Sequence, residues 1–83
     1  MNESVQKLVA LGASAAANCK PCLEHHLGEA RRMEISEEDI AAAVEIGLQI
    51  NGGAARQTRS FSGELLGSPV TVAADGGSGS SCC

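Results

Sequence analysis

Residues 36–50 have the sequence SEEDIAAAVEIGLQI, and this stretch decides the fold class. Ser36 is a typical helix cap, and the acidic residues directly after it favour the positive end of a helix. The run that follows is rich in Ala, Val, Ile and Leu, and its apolar residues lie on more than one side of the helix axis. A single domain of this size has too few residues to bury all the apolar faces of such a helix. We therefore predict an apolar helix that is partly covered by other subunits.

Two further helices are predicted before this stretch. Residues 2–17 carry apolar side chains at three- and four-residue spacing, with Asn2 or Ser4 as the cap. Residues 20–32 form the second helix. Pro21 is acceptable in its first turn, because the missing N–H has no helical partner there in any case.

After residue 50 the pattern weakens. Asn-Gly-Gly at residues 51–53 predicts the end of the third helix by a left-handed cap, and residues 54–66 predict a fourth, weaker helix. The expected fold class is therefore all-α, a small helical domain of about four helices. Residues 1–67 are predicted to be the helical core domain, and residues 68–83 a flexible Gly/Ser-rich tail that ends in two cysteines.

Size, charge and composition exclude several classes of protein. A chain of 83 residues forms one domain at most, and one Phe with no Trp or Tyr predicts a thin core. Six basic residues, scattered among ten acidic ones, give a net charge of -4, which argues against nucleic-acid binding. Neither a signal peptide nor a membrane span is predicted, so we expect a cytoplasmic protein. In that compartment four cysteines favour catalysis, redox sensing or metal binding.

The spacing Cys19-x-x-Cys22-x-x-x-His26 is the main sign of chemistry. Two cysteines at a helix start lie in the positive field of the helix dipole, which favours the thiolate and so gives a nucleophile at neutral pH. Either sulfur is able to resolve a sulfenic acid or a mixed disulfide on the other. His26 lies one turn after Cys22 and is expected to act as a base or proton carrier. Cys19, nearer the helix start, is expected to be the more exposed sulfur.

The other titratable residues near this motif are given no catalytic role. His25 points about 100° away from His26 and is expected to face solvent. Glu24 and Glu29 are interpreted as solvated acids, because their spacing does not force them near the cysteines.

Two alternatives from other classes remain open. The first is a metal- or metalloid-binding module that uses Cys19, Cys22, His26 and the tail pair Cys82-Cys83. The second is a structural or adaptor helical oligomer. The tail pair is also a candidate thiol shuttle, since a linker of about seven small residues reaches on the order of 15 Å, and a disordered, dispensable end is the third interpretation of it.

Taken together, these residues resemble the alkylhydroperoxidase D/carboxymuconolactone decarboxylase family over about residues 4–60. The resemblance is carried by residues 8–17, residues 18–26, Ala30, residues 36–40 and Gly52-Gly53. It implies an all-helical fold that assembles as a homo-oligomer, trimer or hexamer. It also implies a cysteine pair that reduces peroxides and is then reduced by a dithiol partner protein. The decarboxylase branch of the family lacks the cysteine pair, so the pair favours the redox branch.

One position departs from the family pattern. The peroxidases have a glutamate twelve positions before the first cysteine, in a proton relay to the histidine and cysteines; here this position is Lys7. Glu3 lies one turn earlier. The sequence as a whole predicts a peroxiredoxin-type thiol peroxidase or disulfide oxidoreductase with Cys19, Cys22 and His26 as catalytic residues. Its substrate is expected to be a peroxide or disulfide, with organic hydroperoxides favoured, and no cofactor is expected.

Overall fold

The computed structural model describes residues 1–68, which form three α-helices. Helix α1 spans Glu3–Ala16, α2 spans Lys20–Arg32 and α3 spans Glu37–Leu66. The all-α fold class is therefore confirmed, whereas the expected number of four helices is wrong. None of these three helices is both long and apolar enough to cross a membrane. The predicted tail, with Cys82 and Cys83, lies outside the described residues from position 69 onward.

Each helix begins at a capping side chain. The Asn2 carboxamide oxygen accepts a hydrogen bond from the backbone N–H three residues later, at 2.8 Å, and the Ser36 hydroxyl does the same at 3.1 Å. Cys19 is the N-cap of α2, and Pro21 lies in the first turn of that helix. These starts are local features of the chain, so the sequence predicts them well.

Helix α3 continues for 30 residues through Asn51, Gly52 and Gly53, where the sequence predicted its end. The Asn51 side-chain amide donates to the carbonyl oxygen of Ala16 at the end of α1, with an N–O distance of 2.9 Å. Because the Asn51 side chain forms this tertiary hydrogen bond, it is not available to cap a helix end at residue 51. Glycine in a helix interior costs roughly 1 kcal/mol relative to alanine, which packing readily offsets. The left-handed cap lies instead at Gly67, where φ is 78°.

Helices α1 and α3 cross in backbone contact at two glycines. Gly47 is buried, and a Cβ atom there would overlap the carbonyl oxygen of Gly12 and lie 2.9 Å from the Cβ of Ala15. A Cβ atom at Gly12 would lie 3.0 Å from the carbonyl oxygen of Ala43. The crossing therefore depends on the absence of side chains at these two positions.

The core is small, as the composition predicts. Its buried centre is formed by one residue from each helix, Leu11, Ala30 and Ile40. Partly buried side chains pack around this centre: Leu8, Leu23, Leu27, Ile35, Ala43 and Val44. With so little buried apolar area, the fold depends on helix capping and on the glycine crossing as well as on the core.

An apolar groove of about 550 Å³ lies between α1 and α3 on the outside of the molecule. Val5 and Val9 line it from α1, and Ile46 and Ile50 line it from α3, with 40–57% of each residue exposed. This agrees with the prediction that the third helix has more apolar surface than a single chain covers.

Candidate active site

The two cysteines lie in the first turn of α2. Cys19 is in extended conformation, with φ of -98° and ψ of 93°, and its sulfur accepts a hydrogen bond from the Cys22 N–H at 3.3 Å. The Cα atoms of the pair are 5.2 Å apart and a disulfide joins the sulfurs. In the dithiol form, the same N–H and the positive end of the helix would stabilise a thiolate on Cys19.

The two cysteine residues differ in exposure, and the order is the reverse of the one expected. Cys19 is half-buried, whereas Cys22 is exposed. The reason is that the Cys19 backbone N–H donates to the carbonyl oxygen of Ser14 at 3.0 Å, which holds the residue against the end of α1. Cys22 lies three residues further on, inside the first turn, and is exposed. External reagents therefore reach Cys22 more easily.

His26 lies one helical turn after Cys22 and is half-buried. Its Nδ1 atom is 3.1 Å from the Nζ atom of Lys7, which projects from α1. Lys7 stands at the position where the peroxidases that the sequence resembles have their relay glutamate. The side chain at that position does contact the histidine, but it brings a positive charge in place of a carboxylate.

Glu29 is the functional candidate that the sequence did not reveal. Its Oε1 atom accepts a hydrogen bond from Lys7 Nζ at 2.5 Å, and the side chains of Lys7 and Glu29 are 17% and 35% exposed. The hydrogen bond from Lys7, followed by the charge of Lys7, holds the pKa of Glu29 below its ordinary value. The available signal was its spacing: Glu29 lies three residues after His26, so both share one face of α2.

The family model of the carboxymuconolactone decarboxylase family matches residues 2–61, which is more than half of the chain. The chain belongs to this family. No curated protein and no solved structure gives a significant match. The family resemblance of about residues 4–60 is thus confirmed.

In this family member, His25 faces solvent as expected, with its side chain 61% exposed. Its ring centroid is 5.0 Å from that of His26, and its Nε2 atom is 3.5 Å from Glu29 Oε2. Ligand atoms of His25, His26 and Glu29 lie within 4.8 Å of one another, and this group contains neither cysteine. Lys7 already donates toward Nδ1 of His26 and Oε1 of Glu29, so an added cation would meet a positive charge there.

The metal set suggested by the sequence therefore stays a prediction. In the described part of the chain Cys19 and Cys22 are joined to each other, which leaves no thiolate to bind a metal. Cys82 and Cys83, the other sulfur ligands of that set, lie outside the described residues.

A cleft of about 550 Å³ opens beside Lys7 and Glu29. Glu3, Gln6 and Arg32 also line it, and neither cysteine does. The cleft gives solvent access to the outer side of the lysine and carboxylate pair.

Proposed function

We propose that this protein is a thiol-dependent oxidoreductase that cycles Cys19 and Cys22 between dithiol and disulfide and reduces hydroperoxides, organic ones above all. One observation carries the proposal: the cysteine pair lies in the first turn of a helix, with a histidine one turn later. Membership of a family that includes thiol peroxidases supports it.

The oxidative half of the cycle consumes the peroxide. One thiolate attacks a peroxide oxygen, the O–O bond breaks, and the alcohol leaves after it takes up a proton, so that a sulfenic acid remains on the sulfur. The second thiol attacks this sulfur, water leaves, and the Cys19–Cys22 disulfide forms. The cysteines lose two electrons in total, and the peroxide gains them.

The reductive half needs a dithiol partner protein. We propose that its thiolate attacks the sulfur of Cys22, the more exposed residue of the pair, and expels Cys19. Cys19 is the better leaving group because the Cys22 N–H and the helix start stabilise its thiolate, and a stabilised thiolate leaves faster. The second thiol of the partner then attacks the mixed disulfide and releases Cys22. The partner leaves as a disulfide, and both cysteines are thiols again.

We also propose that the protein works as a homo-oligomer. The groove lined by Val5, Val9, Ile46 and Ile50 is a continuous apolar surface, and surfaces of this kind commonly mark subunit contacts. The chain's thin core makes it a poor candidate for a stable monomer. The family resemblance favours trimers or hexamers.

The experiment that tests the activity is a single-turnover oxidation of reduced, metal-free protein by cumene hydroperoxide, with disulfides mapped afterwards by mass spectrometry. We expect second-order formation of the Cys19–Cys22 disulfide, far faster than oxidation of free cysteine. The matched controls are Cys22→Ser, which removes the pair, and Ser4→Cys, which adds an exposed thiol elsewhere. If peroxide oxidises the Cys19–Cys22 pair no faster than the thiol added by Ser4→Cys, the proposed peroxidase activity is refuted.

A further inference from the structure

Lys7 joins two helices at the candidate site through two polar contacts. Its Nζ atom on α1 lies 3.1 Å from Nδ1 of His26 and 2.5 Å from Oε1 of Glu29, both on α2. Only 17% of the Lys7 side chain is exposed. A lysine held in this way has lost much of its rotamer freedom, so its two contacts compensate an entropic cost.

The chemistry of an ammonium group limits what His26 does. A protonated lysine has three N–H donors and no acceptor. The ring nitrogen that faces it must therefore accept, and Nδ1 carries no hydrogen. A neutral imidazole has one hydrogen on its two nitrogens, so the hydrogen of His26 lies on Nε2.

Glu29 holds the Lys7 side chain in this place. An ionised carboxylate only accepts hydrogen bonds, so it fixes the ammonium between itself and the histidine. The pKa of the Glu29 carboxyl is lowered, chiefly by the hydrogen bond from Lys7, so it is ionised at neutral pH. Arg32 Nη2 lies 3.8 Å from the other carboxylate oxygen and adds to the positive surroundings of Glu29.

We propose that Lys7, held by Glu29, is a positioning residue that fixes neutral His26 as its Nε2–H tautomer. Neutral His26 then has its single hydrogen on Nε2, so toward a neighbouring thiolate it is a hydrogen-bond donor and not a base through Nδ1. Such a donor would stabilise a thiolate in the same direction as the helix dipole. This catalytic consequence rests on the proposed function, whereas the tautomer itself does not.

The test is the tautomer of His26, measured by two-bond ¹H–¹⁵N correlation spectra of protein labelled with ¹⁵N-histidine. The chain has two histidines, so His25→Gln assigns the signals. In the wild type at a pH where His26 is neutral, we expect a pyridine-type Nδ1 and a pyrrole-type Nε2. Lys7→Met should shift the two nitrogen frequencies toward each other as both tautomers become populated. Lys7→Arg, which restores a donor, should reverse the change.

Two carboxylate variants separate the positioning effect from a general effect of charge. Glu29→Gln should move the nitrogen frequencies in the same direction as Lys7→Met and by less. Glu24→Gln removes an exposed acid from the same helix and should leave them unchanged. A wild-type His26 with its hydrogen on Nδ1, or equal frequencies in the wild type and Lys7→Met, would overturn the proposal. No peroxide is present in these spectra, so a failed peroxidase assay and a failed tautomer assignment are separate results.

Discussion

The crossing of α1 with α3 requires residues without side chains, whereas the first turn of α2 requires particular side chains. At the crossing, two backbones touch because Gly12 and Gly47 have no side chains. In the first turn of α2, particular side chains are needed, and one of them, Cys22, is exposed. Changes at the crossing should therefore alter stability, whereas changes in the first turn should alter chemistry. The predictions below test this separation.

The largest effect is expected for Cys22→Ser combined with Cys19→Ser, in which serine keeps a capping side chain at residue 19. This double variant has neither thiol of the pair, so peroxide consumption in excess dithiothreitol should fall to the level of a free thiol. Because Cys22 is exposed and the cap at residue 19 is kept, the free energy of unfolding of the reduced protein should change by less than about 0.5 kcal/mol. Kinetic assays and urea unfolding under reducing conditions measure the two quantities. Retained turnover, or a large loss of stability, would contradict the claim that the first turn of α2 determines chemistry and not stability.

The next effect is on stability, for Gly47→Ala. The added methyl group overlaps the carbonyl oxygen of Gly12, so the helices must separate, and the free energy of unfolding should fall by about 2–3 kcal/mol. Gly52→Ala is the matched control on the same helix, because a Cβ atom there has nothing within 4 Å. That control should gain roughly 0.5–1 kcal/mol, since alanine favours helix. Equal values for both variants in urea unfolding would contradict the close crossing.

The same contrast explains how much the sequence could predict. The helix starts at Asn2, Cys19 and Ser36 are set by hydrogen bonds within three residues, so the local pattern predicted where each helix begins, although it left both Asn2 and Ser4 open as the first cap and named none for α2. The end of α3 was predicted wrongly, because Asn51 forms a hydrogen bond with a residue 35 positions away. A local rule does not include such a contact.

In the candidate site, likewise, the sequence predicted only the relationships between residues of the same helix. Cys19, Cys22 and His26 share one helix, and their one-turn relationship follows from residue number. The contact of Lys7 with Glu29 joins two helices, and the half-buried state of Cys19 comes from a hydrogen bond to Ser14 in α1. Both depend on how α1 packs on α2, which the spacing does not reveal.

A third prediction concerns the apolar groove. Ile46→Glu places a charge in it and should dissociate the proposed homo-oligomer, which sedimentation equilibrium would detect as a fall in mass. Gln49→Glu is the matched control, because this residue is exposed on the same helix and does not line the groove. Unchanged mass for Ile46→Glu, or equal dissociation by both variants, would exclude the groove as the subunit contact.

The smallest effect is a pH dependence of stability. Lys7 lowers the pKa of folded Glu29 below its ordinary value of 4.5. A lowered folded-state pKa adds stability above the unfolded-state pKa, and this contribution is lost as pH falls through the folded-state pKa. Glu29→Gln should therefore lose less stability than the wild type when the pH is lowered from neutral to below 4.5. Thermal unfolding across this range measures the difference, with Glu24→Gln expected to behave as the wild type.

The central claim is that the first turn of α2 activates its cysteine pair, and the rate of alkylation of the reduced protein as a function of pH tests it most directly. We expect at least one of Cys19 and Cys22 to have a thiol pKa clearly below the ordinary value of about 8.5, with Cys19 the lower of the two. Peptide mass spectrometry assigns the alkylated sulfur. Ordinary thiol pKa values for both cysteines would contradict the account.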